Sequence, residues 1–308
     1  TANYSAAATA VTVNLATLIA QNTGGAGTDT LSNFENLTGS AFNDTLTGNT
    51  GDNVIDGGNG NDTIQGGAGN DTLTGGAGTD TLTYAAAASA ISISLALLTA
   101  QNTGGAGIDT IAGFENLTGS AFNDILTGDA ANNTIIGGNG NDTIEGGDGN
   151  DILTGGANTD TVTYANAAAG VTVNLATTTA QNTVGAGTDT LATFENLTGS
   201  GFDDILTGNT GANVIIGGDG NDVIQGGAGN DTLNGGNGTD TANYSAAATA
   251  VTVNLATLTA QNTGGAGTDT ISNFENLTGS AFNDTLTGNI GDNIIDGGVG
   301  IDLLSYAN

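Results

Sequence analysis

The chain has 308 residues and a formal net charge of −31, with no Lys, Arg, His or Cys. That balance excludes nucleic acid as a partner, because displacing the counterions of a phosphate backbone takes Lys and Arg, and it disfavours anionic membrane surfaces. No apolar run approaches the roughly 20 residues that cross a bilayer, so direct membrane insertion is not expected, and without Cys there is no disulfide framework. The chain opens on no basic, apolar leader, so any N-terminal signal is expected to have been removed or to be absent.

In chain order, the first signal is Val11-Thr12-Val13-Asn14-Leu15, which alternates like a half-buried strand. The Gly-rich turn Gly24-Gly25-Ala26-Gly27-Thr28-Asp29 follows, then Phe34-Glu35-Asn36-Leu37-Thr38-Gly39-Ser40. From there an apolar residue recurs every nine positions, at Leu37, Leu46, Ile55, Ile64, Leu73 and Leu82. Gly-rich turns fall between them: Gly57 to Asp62, Gly66 to Asp71 and Gly75 to Asp80. Each such nonad reads as a tight turn, which Gly permits, followed by a short strand that points one apolar side chain inward, as in Thr72-Leu73-Thr74. One inward Leu per strand buries no core alone, so the coils are expected to stack, two nonads to a coil. Asp62 and Asp80 then share one edge, and Asp71 lies on the other with Asn53 a coil earlier.

A longer period runs through the whole chain. Tyr4, Tyr84, Tyr164 and Tyr244 correspond, as do Phe34, Phe114, Phe194 and Phe274. Fixed-period self-similarity signals a solenoid. The reading is an all-β, parallel β-roll of four modules, 1–80, 81–160, 161–240 and 241–308, forming one continuous solenoid. Aligning Tyr306 with Tyr84 shows the last module shortened by one whole coil of two nonads. The less regular stretch in each module, such as Leu82 to Asn116, is read as wider coils of the same solenoid, with a separate small β-domain as the alternative.

The pattern Gly-Gly-x-Gly-x-Asp occurs twelve times. Stacked turns crowd carboxylates that repel one another, and the chain has no cationic side chain to balance them. The counter-charge must come from solution. A flexible cage of carboxylate and carbonyl oxygens suits Ca²⁺; Mg²⁺ holds its waters and wants stricter geometry, and Zn²⁺ or Cu²⁺ wants the His or Cys that is missing. Several Ca²⁺ ions are therefore expected.

Gly57 to Gln65 and its copies resemble the nonapeptide of the RTX (repeats-in-toxin, hemolysin-type) calcium-binding proteins, and Val11 to Asp44 is similar to the spacer of large RTX surface proteins. The resemblance implies a right-handed parallel β-roll, Ca²⁺ between successive turns, and type I export from a Gram-negative bacterium. It implies as ligands the sixth-position acids Asp62, Asp71, Asp80, Asp142, Asp151, Asp160, Asp222, Asp231, Asp240 and Asp302, with carbonyls of turn residues such as Gly58, Asn59 and Gly60. Asp44, Asp124, Asp204 and Asp284 hold the register without the Gly turn. Asp29, Asp109 and Asp269 match the motif but lack a stacked neighbour at the spacing of one coil. Asn53, Asn133, Asn213 and Asn293 put neutral residues in Asp slots, so gaps are expected in the ion ladders.

Other signals are weaker. Asn36-Leu37-Thr38 matches a glycosylation sequon, but Leu37 is a core position. Outward Thr pairs are interrupted by Val54, Asp56 and Gln65 and read as ordinary strand residues. A Ser nucleophile needs a base, usually His, and there is none, so an enzyme is not expected. The expectation is an extracellular structural protein, a rod of roughly 80 Å at ~4.8 Å per strand. It assembles head to tail with copies of itself into a filament or surface layer. The alternative is a stalk segment of a larger secreted adhesin.

Overall fold

In the computed structural model the residues described are 1–306, and they contain strands and turns but no helix. The chain forms two compact units, Thr1–Asn158 and Thr159–Asn308. Each is a stack of short, mostly parallel strands, an all-β parallel roll.

In the first unit the inward residues form two columns. Leu37, Ile55, Leu73 and Ile111 pair in register along one sheet. Val13, Leu46, Ile64, Leu82, Leu117, Ile135 and Leu153 pair along another. All of these side chains are at most 1% exposed. Successive strands alternate between the two columns, so one side chain per strand fills a thin core from each face. The step within a nonad run is the expected coil of two nonads, as Ile55↔Leu73 and Ile64↔Leu82 show. The second unit repeats the plan, with Leu197, Ile215, Leu233 and Ile271 along one sheet and Leu206, Ile224, Ala242 and Leu277 along another.

The less regular stretches are wider coils built into the same sheets. Strand Ser92–Ser94 pairs in parallel with Ile125–Thr127. Thr110–Ala112, at the end of strand Ile108–Ala112, pairs in parallel with Thr72–Thr74. Between them Gln101–Asn102 runs antiparallel to Ile108–Asp109, and the Ser92 N–H donates to the Thr103 carbonyl. An antiparallel arm inside the parallel stack is the one element the periodicity does not contain. Gln101 fixes its root by bonding both the N–H and the C=O of Ser94. Each module makes an odd number of half-coils, so the wide coil changes face from one module to the next. Val13 of the first enters the Leu46 column, whereas Ile93 of the second pairs with Leu126 on the opposite face.

Candidate metal centre

Two sets of side-chain bonds tie each turn to its neighbours. The sixth-position Asp accepts from the coil before it: Asp62 Oδ1 from the Asp44 N–H at 2.7 Å, Asp80 Oδ1 from the Asp62 N–H at 2.7 Å, and Asp71 Oδ1 from the Asn53 N–H at 2.8 Å. The residue just before it accepts from the coil after: Asn61 Oδ1 from the Thr79 N–H at 3.0 Å, and Asp52 Oδ1 from the Asn70 N–H at 2.8 Å. The clamp runs in both directions and pins one oxygen of each buried carboxylate.

The other oxygen is different. Asp62, Asp71 and Asp80 in the first unit, and Asp222, Asp231 and Asp240 in the second, are at most 2% exposed. Their Oδ2 atoms are buried with no hydrogen-bond partner. Each Oδ2 lies against the first Gly of its own turn. A methyl group on Gly57 would strike Asp62 Oδ2 and the Gly75 carbonyl together, and one on Gly217 would strike Asp222 Oδ2 and the Gly235 carbonyl. Gly is required there because two oxygens occupy the place of a side chain.

A buried, unpaired carboxylate oxygen beside a carbonyl is expensive as it stands. Burial pushes Asp62, Asp71 and Asp231 up to about 6 and Asp222 to about 7, against the pull of the N–H bonded to each. Neighbouring carboxylates add to the rise, Asp44 and Asp80 in the case of Asp62. Asp80 and Asp240 are raised by burial and also by Glu115 and Glu275. With no cationic side chain in the sequence, only a proton or an ion from solution neutralises these oxygens. Among the described residues no three acids gather at one point. A cation here would be held by one or two carboxylates completed by carbonyls, the donor set of a hard ion with flexible coordination.

The remaining acids of the motif are already satisfied. Asp44 accepts from the Ser40 N–H, from the Ser40 hydroxyl at 2.8 Å and from the Val11 N–H at 2.7 Å. Asp124, Asp204 and Asp284 repeat this with Ser120, Ser200 and Ser280. Asp109 accepts from the Tyr84 hydroxyl at 2.9 Å, from Thr103 and from the Asp71 N–H. Asp29 and Asp269 bond Tyr4 and Tyr244. The stacked neighbour missing at the one-coil spacing is present farther along the chain for Asp109 and Asp269, which accept the Asp71 and Asp231 N–H across a step of 38 residues. Asn53 fills its slot as a neutral cap, accepting from the Asn49 N–H and donating to the Glu35 carbonyl.

Asp142, Asp151 and Asp160 are buried at the register of Asp62, Asp71 and Asp80. Asp302 takes the next place, accepting from the Asp284 N–H at 3.0 Å, but is exposed. Gly58 and Asn59 stand in strand Val54–Asn59, paired with Gly76 and Ala77, and Gly60 donates its N–H to the Ala77 carbonyl. The Gly75 carbonyl, one coil on, is the one that meets Asp62 Oδ2. Sequence reasoning missed Glu115, Glu195 and Glu275, which accept the N–H of Asp80, Asp160 and Asp240 at 2.8 Å each. The signal was the Phe-Glu-Asn-Leu-Thr segment recurring at a constant distance after the last Asp of each run.

A family model, the RTX calcium-binding nonapeptide repeat (4 copies), matches residues 32–64, 56–86, 112–144, 127–162, 194–222, 207–242 and 263–304. Together these cover more than half of the chain. The chain belongs to the RTX calcium-binding repeat family. Comparison with curated proteins finds no match. The RTX chain binds several Ca²⁺ ions, and the unpaired buried Asp oxygens fit them. Bound Ca²⁺ supplies the positive charge that the protein lacks. The residues present to hold it are Asp62, Asp71 and Asp80, and Asp222, Asp231 and Asp240, with carbonyls such as those of Gly75 and Gly235.

Proposed function

We propose that this chain is an extracellular structural element that folds around Ca²⁺ and adds head to tail to further copies, giving a filament or surface layer. The sheet edge in the second unit carries the assembly reading. Strand Leu303–Ser305 pairs with Thr285–Thr287, and Leu304 is 44% exposed although it stacks on Leu286, at 1%. Ile301 and Tyr306 beside it are exposed at 84% and 80%. A strand edge with bare apolar side chains is a template for another strand, and a heterologous contact that does not close propagates as a filament.

The chemistry of the turns supports an extracellular setting. Sites with one carboxylate and otherwise neutral donors have the low charge count of extracellular Ca²⁺ modules, with Kd of about 10⁻⁴–10⁻³ M. Such sites fill where Ca²⁺ is millimolar. Export by a type I system of a Gram-negative bacterium accords with this, since the chain folds only where Ca²⁺ is abundant.

The recurrence of one segment, Phe34 to Ser40 and its copies, in every module favours a second reading, a spacer in a larger secreted adhesin. Electron microscopy and sedimentation velocity of the purified chain separate the two. Polymers that lengthen with protein concentration in millimolar Ca²⁺, and vanish in chelator, are expected for the filament. Monodisperse particles at all concentrations would leave the spacer.

A further inference from the structure

The last Asp of each nonad run has a different neighbour from the others. The Asp62 N–H donates to an Asp one coil on, but the Asp80 N–H donates to Glu115 Oε2 across 35 residues of sequence, at 2.8 Å. In the second unit the Asp240 N–H donates to Glu275 Oε2 at the same distance. Asp80 and Asp240 are completely buried, and the Oδ2 of each has no hydrogen-bond partner.

A backbone carbonyl is aimed at the same point. A methyl group on Gly75 would meet the Gly113 carbonyl and the Asp80 carboxylate; one on Gly235 would meet the Asn273 carbonyl and the Asp240 carboxylate. Gly113 and Asn273 hold left-handed backbone, at φ 66° and 56°. Asn33 and Thr193 hold it at the same place in the other modules, at φ 58° and 57°. For a β-branched Thr this is an unfavourable conformation, kept only where the surroundings impose it. The junction between nonad run and wide coil thus has two carboxylates where the other rungs have one, and a carbonyl held in place by a strained residue.

We propose that each junction is a separate divalent-cation site, formed by Asp80, Glu115 and the Gly113 carbonyl in one unit and by Asp240, Glu275 and the Asn273 carbonyl in the other, and that it takes Ca²⁺ more tightly than the single-carboxylate rungs. Affinity of oxygen sites rises with the number of charged ligands. The junction ions load first and fasten each wide coil to the run before it. This rests on the calcium chemistry of the repeats and not on the assembly reading.

Calorimetric Ca²⁺ titration of the full chain tests it, comparing wild type with E115Q/E275Q and with D56N/D219N. Gln keeps an oxygen for the Asp N–H and removes the charge, while Asp56 and Asp219 are exposed and their loss is a control for net charge. The tightest class of ions is expected to weaken by about tenfold or more in E115Q/E275Q and to stay unchanged in D56N/D219N. An unaltered tight class in E115Q/E275Q, or equal weakening in both, overturns the proposal. Hydrogen exchange of the wild-type chain at limiting Ca²⁺ decides independently of how the variants fold. Amides of 113–117 and 273–277 are expected to gain protection before those of 62–72 and 222–232, and simultaneous or reversed protection overturns the proposal.

Discussion

A single oxygen atom per turn decides how this protein responds to its solution. Asp62 Oδ1 is held by the Asp44 N–H, while Oδ2 faces Gly57 and the Gly75 carbonyl without a donor. Without Ca²⁺ the folded carboxyls bind protons up to about pH 6 for Asp62 and about 7 for Asp222, whereas in the unfolded chain they release them near 4. The folded state therefore holds more protons between about pH 4 and 7, so stability in chelator rises as pH falls through that window and is lost again as pH rises. This is the reverse of a carboxylate held by a cationic partner. Protons and Ca²⁺ compete for the same oxygens, so thermal unfolding followed by circular dichroism should show the Ca²⁺ and chelator curves far apart at about pH 7.5 and converging near pH 4. A Ca²⁺ effect equal at both pH values would contradict it. The variant Asp62→Asn probes the same atom. Its carboxamide keeps Oδ1 for the Asp44 N–H and turns an NH₂ toward the Gly75 carbonyl. Relief of an unsatisfied buried acceptor is worth about 1–3 kcal/mol, so D62N should be more stable than wild type in chelator and bind less Ca²⁺ at saturation.

At the scale of the coil, hydrogen bonds do in the wide coils what ions do in the nonad runs. Tyr84 and Thr103 hydroxyls and the Asp71 N–H surround Asp109, and Ser40 with the Val11 N–H surrounds Asp44. Burial beside Asp109 pushes the Tyr84 hydroxyl far up, so it stays a donor at any working pH. Tyr84→Phe leaves Asp109 short of that donor at a buried site and should cost about 1–3 kcal/mol. The loss should be the same size at saturating and at barely sufficient Ca²⁺, as read from the thermal midpoint. A loss that grows as Ca²⁺ is lowered would place Asp109 among the ion ligands. The turn geometry gives a sharper case. Gly76 sits at φ 115°, and a methyl group there would drive into the Gly58 backbone. The nine-residue register made such positions legible, because Gly, Asp and the inward Leu or Ile each recur at a fixed offset with a fixed task. The wide coils were legible only as part of the solenoid. Asp109 and Glu115 join the ladder at steps of 38 and 35 residues, and no period marks which residue meets which when the steps differ. The antiparallel arm at Gln101–Asn102 was hidden for the same reason, since its pairing is set by the Gln101 side chain and the turn at Gly104 to Gly107 rather than by a repeat.

For the molecule as a whole, the ion sites and the stacking of coils are one property. Asp62 meets the Gly75 carbonyl only when two coils are in register, so no site exists in the unfolded chain, and binding free energy is folding free energy. The −31 charge opposes compaction everywhere, and the buried Asp oxygens concentrate that opposition inside the turns. Coils also depend on one another, because each Asp is pinned by the coil before it and faces a carbonyl from the coil after. In a one-dimensional stack this makes stability a sum of nearest-neighbour terms, and loading cooperative over a run. The runs have built-in ends: Asn53 and Asp44 at one side need no ion, and Asp109 at the other is already bonded. Ca²⁺ titration of a chelated sample should therefore show β-structure appearing in a sigmoidal transition, with the hydrodynamic radius collapsing over the same Ca²⁺ range. Na⁺ at the same ionic strength should screen the charge and shrink the chain without restoring the strands, because screening acts between exposed charges and does not fill a buried oxygen cage. Full β-content in excess chelator, or its recovery by NaCl alone, would show that the unpaired oxygens are tolerated without an ion, and the calcium account of the fold would then fail.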